Sequence, residues 1–148
     1  MKKNVLLVAE DDLSDVMLLE RAIHRTGGEF QMVRVANGEE LIDYLKGAGT
    51  FCDRILYPEP QLVLLDLKLP RKDGFAVLKW RQSHVDGFRF PVVVFSSSSL
   101  PVDIERAYRL GANSYVVKPS APERLEAMVR ALQAWWMALN VRASVPFA

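Results

Sequence analysis

The chain lacks most of what marks a stapled, membrane-spanning or nucleic-acid-binding protein. One residue in 148 is cysteine, so Cys52 has no disulfide partner within the chain and builds no thiolate zinc site, and nothing calls for an oxidising compartment. His24 and His84 are the only histidines; neither has metal-ligating company, and both read as surface residues. Charge of one sign is missing, because 19 basic residues against 18 acidic leave a net charge of +1. No global field therefore draws the chain to nucleic acid. The apolar runs at 5–9, 62–65 and 92–95 are far short of the ~20 residues that span a bilayer. The first of them runs straight into Glu10-Asp11-Asp12, too soon for a signal peptide. Neither Gly-x-Gly-x-x-Gly nor a Walker A loop occurs, and the acidic run after the first apolar segment would repel a phosphate bound there. The expectation is a soluble, cytoplasmic protein without a nucleic-acid or membrane partner.

What is present is enough for a core. Half the chain is hydrophobic and 25% charged, which excludes a disordered polyelectrolyte. A domain of this size buries roughly 70% of its unfolded surface and needs no disulfide or metal for stability. Short apolar runs alternate with segments of helical period. A strand at 5–9 is followed by a helix with Val16, Leu19 and Ile23 inward, closed by Gly27-Gly28. An alternating, edge-like strand at 30–35 precedes Asn37-Gly38-Glu39-Glu40, an N-cap with a glutamate three residues on, and a helix that carries Leu41, Ile42 and Leu45 inward. A long loop at 47–60 exceeds what a compact connection needs. Then follow strands at 61–67, 91–95 and 114–117, with helices at 74–82, 101–110 and from Ser120 to about 140. The last opens on Ser120-Ala121-Pro122-Glu123, which has the form of a capping box. Five strand–helix pairs in strict alternation mean an α/β domain whose parallel sheet carries helices on both faces. One domain over 1–148 is expected, with its core at about 3–140 and a tail at 141–148.

Ligands of such sheets bind beyond the carboxyl ends of the strands, so the residues just past each strand carry the interest. They are Glu10-Asp11-Asp12, Asp66, Ser96 and Lys118-Pro119. Three carboxylates at neighbouring strand ends repel one another in a partly dry cleft, and a divalent cation relieves that. Oxygen ligands in small number suit Mg²⁺. The alternative is that the acidic run serves only the helix N-terminus, with Asp12 or Ser14 as cap, which explains Asp12 better than Glu10 and Asp11. Asp66 and Lys118 each follow an apolar strand, where a charge is rarely buried without a partner. They form either a simple ion pair closing the sheet end or, with the metal carboxylates and Ser96, a phosphoryl site. In the second reading Asp66 is a carboxylate nucleophile giving an acyl phosphate, Lys118 and Mg²⁺ neutralise the phosphoryl oxygens, and Ser96 donates to one of them.

Over residues 3 to 140 the chain resembles a bacterial two-component response-regulator receiver domain. The resemblance rests on Glu10-Asp11, on Leu65-Asp66-Leu67-Lys68-Leu69-Pro70 with Asp73-Gly74, on Ser96 and on Lys118-Pro119. The spacings agree too, with 30 residues from Asp66 to Ser96 and 52 from Asp66 to Lys118. It implies a flavodoxin-like (βα)5 three-layer sandwich with a parallel five-stranded sheet of order 2-1-3-4-5. It further implies that Asp66 accepts phosphate from a sensor histidine kinase or hybrid kinase. Mg²⁺ would sit on Asp11, Asp66 and the backbone carbonyl of Lys68, with Glu10 nearby through water. Such a protein catalyses its own phosphorylation and slow dephosphorylation rather than acting as a conventional enzyme. Tyr115 falls at the family's aromatic switch position, to turn when Ser96 is drawn to the phosphate. The segment 69–74 and the long loop are similar to the single-domain regulators found with bacterial phytochromes, which have no DNA-binding output domain.

Two rivals stand beside this. A haloacid-dehalogenase-type hydrolase needs a second carboxylate two residues after the nucleophile, and that position is Lys68. A phosphorylation-independent pseudo-receiver acting as a binding module usually lacks the acidic pair, the aspartate or the lysine, and all are present. Ser97-Ser98-Ser99 reads as a solvated loop, with Ser98 within reach of the site.

The last helix predicts a partner. Leu125, Met128, Val129, Leu132, Trp136 and Leu139 form a core stripe. Opposite it run Ala127, Ala131, Ala134 and Ala138, with Glu126, Arg130 and Gln133 displaced to one flank. Alanine is the best helix former and needs no partner to justify it. Trp135, Met137, Val141, Val145 and Phe147 add apolar surface that favours a homodimer through this helix.

Overall fold

The computed structural model describes residues 4–84 and 90–141. Strands β1 (Asn4–Ala9), β2 (Phe30–Val35), β3 (Leu62–Leu65), β4 (Val92–Ser96) and β5 (Ser114–Val117) form one sheet in the order β2-β1-β3-β4-β5. All neighbouring pairs are parallel. The connecting helices are α1 (Leu13–Arg25), α2 (Gly38–Lys46), α3 (Gly74–Ser83), α4 (Pro101–Arg109) and α5 (Pro122–Leu132). The expected flavodoxin-like topology is what the chain adopts.

Strand alternation splits the apolar residues between two layers. Leu7, Val63, Leu65 and Val94 meet Leu41, Leu45, Val77 and Leu78 from α2 and α3. Leu6, Val8, Leu64, Val93 and Phe95 meet Leu19, Ile23, Leu125 and Val129 from α1 and α5. Because both faces are covered, the central strands are apolar at every position rather than at every second one. Side chains cap three helices, and at α1 and α2 these are residues the sequence offered. Asp12 accepts from the Ser14 N–H at 2.8 Å, and Asp73 accepts from the Ala76 N–H at 2.8 Å. Asn37 accepts from the Glu40 N–H at 2.8 Å while the Glu40 carboxylate accepts from the Ala36 N–H at 2.8 Å.

The long connection after α2 is a folded piece. A 3₁₀ turn (Gly49–Phe51) brings Phe51 and Tyr57 against Tyr44, with ring centroids 5.1 and 6.0 Å from that of Tyr44. Arg54 donates to the carbonyls of Leu45 at 3.0 Å and Tyr57 at 3.1 Å. Gly47 ends α2 at φ 66°, where a Cβ would lie 2.9 Å from the Arg54 guanidinium.

Four expectations are corrected. The third strand ends at Leu65, so Asp66 and Leu67 belong to the loop beyond it. Ser120 does not cap α5; the N-cap is Ala121, with no side-chain cap bond. The last helix is not α-helical to its end, because residues Gln133–Leu139 form a π-helical segment closed by the Asn140 N–H on the Trp135 carbonyl at 2.6 Å. The wider i→i+5 turn changes the angular step per residue, so the stripe extrapolated at α-helical period drifts off the core. Leu139 is accordingly 66% exposed and Gln133, expected on a solvated flank, is buried. Val145 and Phe147 lie outside the described residues, as does the side chain of Met137.

Candidate active site

The site sits where the sheet order reverses. The chain leaves β1 for β2 on one side and returns to β3 on the other, so the ends of β1 and β3 open a crevice between diverging connections. The Glu10 N–H donates to Val35 at 3.1 Å and the Asp66 N–H to Ala9 at 3.1 Å. These bonds extend the ladder by one residue and set both carboxylates at the rim. From the other side, the Lys118 N–H donates to the Ser96 carbonyl at 2.8 Å. Gly74 shapes the floor: a Cβ there would lie 2.5 Å from the Asp66 carbonyl oxygen and 2.7 Å from Leu67 Cα, so only glycine lets α3 approach this closely. That is the physical content of the Asp73-Gly74 pair.

Glu10, Asp11 and Asp66 each offer a carboxylate oxygen, all within 4.8 Å of one another. Glu10 and Asp66 are buried, at 2% and 8% exposure, while Asp11 faces solvent. The Lys118 ammonium reaches into this group. It donates to Glu10 in a short contact, to Asp15 at 2.8 Å and to Asp66 at 3.2 Å, and lies 5.6 Å from the Phe95 ring centroid. Burial and the neighbouring Asp66 push Glu10 up to about 7, and the Lys118 bond only partly opposes that. Burial by itself would lower Lys118; its bonds to Asp15 and Glu10 and the charges of Asp66 and Glu10 outweigh that and raise it. The cleft thus holds more negative charge than one lysine neutralises. The donor set is oxygen only, with one exposed and two buried carboxylates, which fits a hard divalent cation.

Of the residues singled out in the sequence, Glu10, Asp11, Asp66 and Lys118 come together directly. The Lys68 N–H donates to Asp66 at 3.3 Å, bringing its peptide beside the aspartate. Ser96 is buried at the end of β4, and its Oγ accepts from the Ser98 N–H at 3.1 Å. The Tyr115 hydroxyl is directed away from the carboxylates. It donates to the Ser98 carbonyl at 2.8 Å, so Tyr115 is linked to Ser96 through one residue. Ser98 is engaged rather than simply solvated, since its hydroxyl donates to Asp103 at 2.6 Å.

Two site residues escaped the sequence reading. Asp15 lies in the first turn of α1, and its only signal was acidity there, which helix electrostatics already explains. Arg34 on β2 donates to the carbonyls of Glu10 at 2.8 Å and Asp11 at 3.3 Å, clamping the turn that carries both acids. It sits 24 residues from Glu10, and no local pattern announces it.

Residues 6–130 match the family model described as response regulator receiver domain. Among curated proteins, the chain is 30% identical over 133 residues to Response regulator Rcp1 of Synechocystis sp., which covers 90% of this chain and 88% of that one. The structure of response regulator RPA3017, described as in red light signaling of R. palustris, matches with a TM-score of 0.90 at 32% identity, over 96% of this chain and 99% of that one. The phosphorylated cyanobacterial phytochrome response regulator RcpA matches with a TM-score of 0.86 at 31% identity, over 97% and 100% of the two chains. Rcp1 is also known in a Mn²⁺-bound form, which matches with a TM-score of 0.81 at 28% identity over 95% and 99%.

Proposed function

This chain belongs to the response-regulator receiver family, and we propose that it accepts a phosphoryl group on Asp66 from a sensor histidine kinase or hybrid kinase of phytochrome type. The observation that carries this reading is the convergence of Asp66 with Lys118, Glu10 and Asp11 in one cleft. A carboxylate oxygen of Asp66 attacks phosphorus as the P–N bond of a phosphohistidine breaks, and the imidazole leaves with a proton. Glu10, Asp11, Asp66 and the Lys68 carbonyl would hold Mg²⁺, which supplies charge neutralisation for the transferring group when bound. Lys118 moves its third donor from Asp66 to a phosphoryl oxygen, and Ser96 turns its hydroxyl from the Ser98 amide to another. The Ser96–Ser98–Tyr115 link supports a switch at β4, α4 and β5. The phytochrome and red-light descriptions of RcpA and RPA3017 favour a light-sensing kinase, which goes with a cytoplasmic location. Among the described residues no helix is long and apolar enough to cross a membrane.

A small acyl phosphate with Mg²⁺ tests this by mass spectrometry. One phosphate should be added, labile to hydroxylamine, and both Asp66→Asn and removal of Mg²⁺ should abolish it. Equal labelling of the Asp66→Asn protein would overturn Asp66 as the acceptor, and no labelling of the wild type would leave the pseudo-receiver reading in its place.

A further inference from the structure

Lys118 carries three ammonium protons and faces three carboxylates, Glu10, Asp15 and Asp66. Two of these acids belong to the cation-binding group, and Asp15 does not. It approaches from α1 and is one-third exposed, against one-tenth for Asp66. In phosphoryl transfer Asp66 would become an acyl phosphate, and Glu10 would be among the residues that hold the cation. Both would then loosen their hold on the ammonium, and Asp15, outside the cation-binding group, is the partner free to keep it. A lysine has a flexible four-carbon stem, so an ammonium released by two partners would swing away from the reacting atoms unless a third held it. We propose that Asp15 is a positioning residue that anchors Lys118 over Asp66 through the phosphoryl-transfer cycle. This rests on the function proposed above. Asp15 binds neither phosphate nor cation; it fixes the donor that does, and so removes the need to order the side chain during the reaction.

The test pairs kinetics with a direct view of the ammonium. Asp15→Ala should slow phosphorylation by an acyl phosphate about tenfold at saturating phosphodonor, with the dissociation constants for phosphodonor and Mg²⁺ unchanged. Asp15→Asn keeps an acceptor oxygen and should recover most of the rate, whereas Asp15→Ser, polar but too short, should behave like the alanine variant. Asp15→Ser also serves if the alanine variant does not fold. In a Lys118→Ala background Asp15→Ala should cost nothing further, since it acts through the lysine. In the metal-free wild type the Lys118 ammonium should give an exchange-protected nitrogen–proton NMR signal, which Asp15→Ala abolishes. A folded Asp15→Ala protein with the wild-type rate, an equal loss in the Lys118→Ala background, or a surviving ammonium signal would overturn the proposal. If the wild type takes up no phosphate, the functional reading fails instead, and the ammonium signal still decides whether Asp15 anchors Lys118.

Discussion

Glu10 is enclosed between a lysine and a second acid, and its proton responds to a change of pH. Burial raises it from 4.5 to about 7, so the folded state binds this proton more tightly than the unfolded chain. The stability that goes with it is fully present below pH 4.5 and is lost as pH rises through about 7. At 1.36 kcal/mol per pH unit the loss is about 3 kcal/mol. Urea unfolding of the metal-free protein should therefore show stability falling between pH 5 and pH 8, and Glu10→Gln should flatten that slope. A slope unchanged by Glu10→Gln would place the proton elsewhere. With Mg²⁺ present the dependence should weaken, because a bound cation favours the ionised carboxylate that high pH supplies.

At the scale of elements, the side chains of Ser96, Ser98 and Tyr115 tie the segment from β4 into α4. The Ser96 hydroxyl takes the Ser98 amide, the Ser98 hydroxyl gives to Asp103, and the Tyr115 hydroxyl takes the Ser98 carbonyl as its acceptor. The cap of α4 is Leu100, with no side-chain bond, and only Ala107 in the helix is buried. A helix with one buried residue and no side-chain cap is suited to shift when Ser96 is drawn elsewhere. Adding Mg²⁺ and a beryllium fluoride mimic of the phosphoryl group should move amide resonances at 96–103 and change the Tyr115 rotamer. Tyr115→Phe removes one of the three ties and should leave the phosphorylation rate within about twofold, since the hydroxyl bonds Ser98 rather than a carboxylate of the site. A Tyr115 ring that keeps one rotamer with and without the mimic would break the proposed coupling.

For the whole molecule, the open question of assembly falls on the last helix. Ala127, Ala131, Ala134 and Ala138 are all exposed. Beside them lie Trp135 at 56%, Leu139 at 66% and Val141 at 91% exposure. The π-helical turn enlarges this apolar surface by bringing Leu139 out of the core stripe. We propose a symmetric dimer through this face, the assembly in which one patch covers its own copy. Light scattering should give twice the chain mass for the wild type and a folded monomer for Ala131→Glu with Ala138→Glu. A wild type monomeric at high micromolar concentration, phosphorylated or not, would exclude it.

Period and punctuation were legible in the amino-acid order. Unbroken apolar runs announced strands buried on both faces, Asn37 with Glu40 announced a helix start, and the polar residues after each run marked the crevice at the strand ends. These features are local, and local chemistry decides them before any long-range contact forms. The family pattern picked out Glu10, Asp11, Asp66 and Lys118, which the fold brings into one cleft. What tertiary structure alone decided is how the charges in that place are shared. Asp15 joins Lys118 across 103 residues and Arg34 clamps the acidic turn across 24, distances at which no spacing rule operates. The raised Glu10 comes from burial and a neighbouring acid, and both exist only once the sheet has closed around it. The π-helical turn that buries Gln133 and exposes Leu139 departs from a period that the residues themselves keep. A helical pattern records which side chains are apolar, whereas packing against α1 and the sheet decides which of them find room inside.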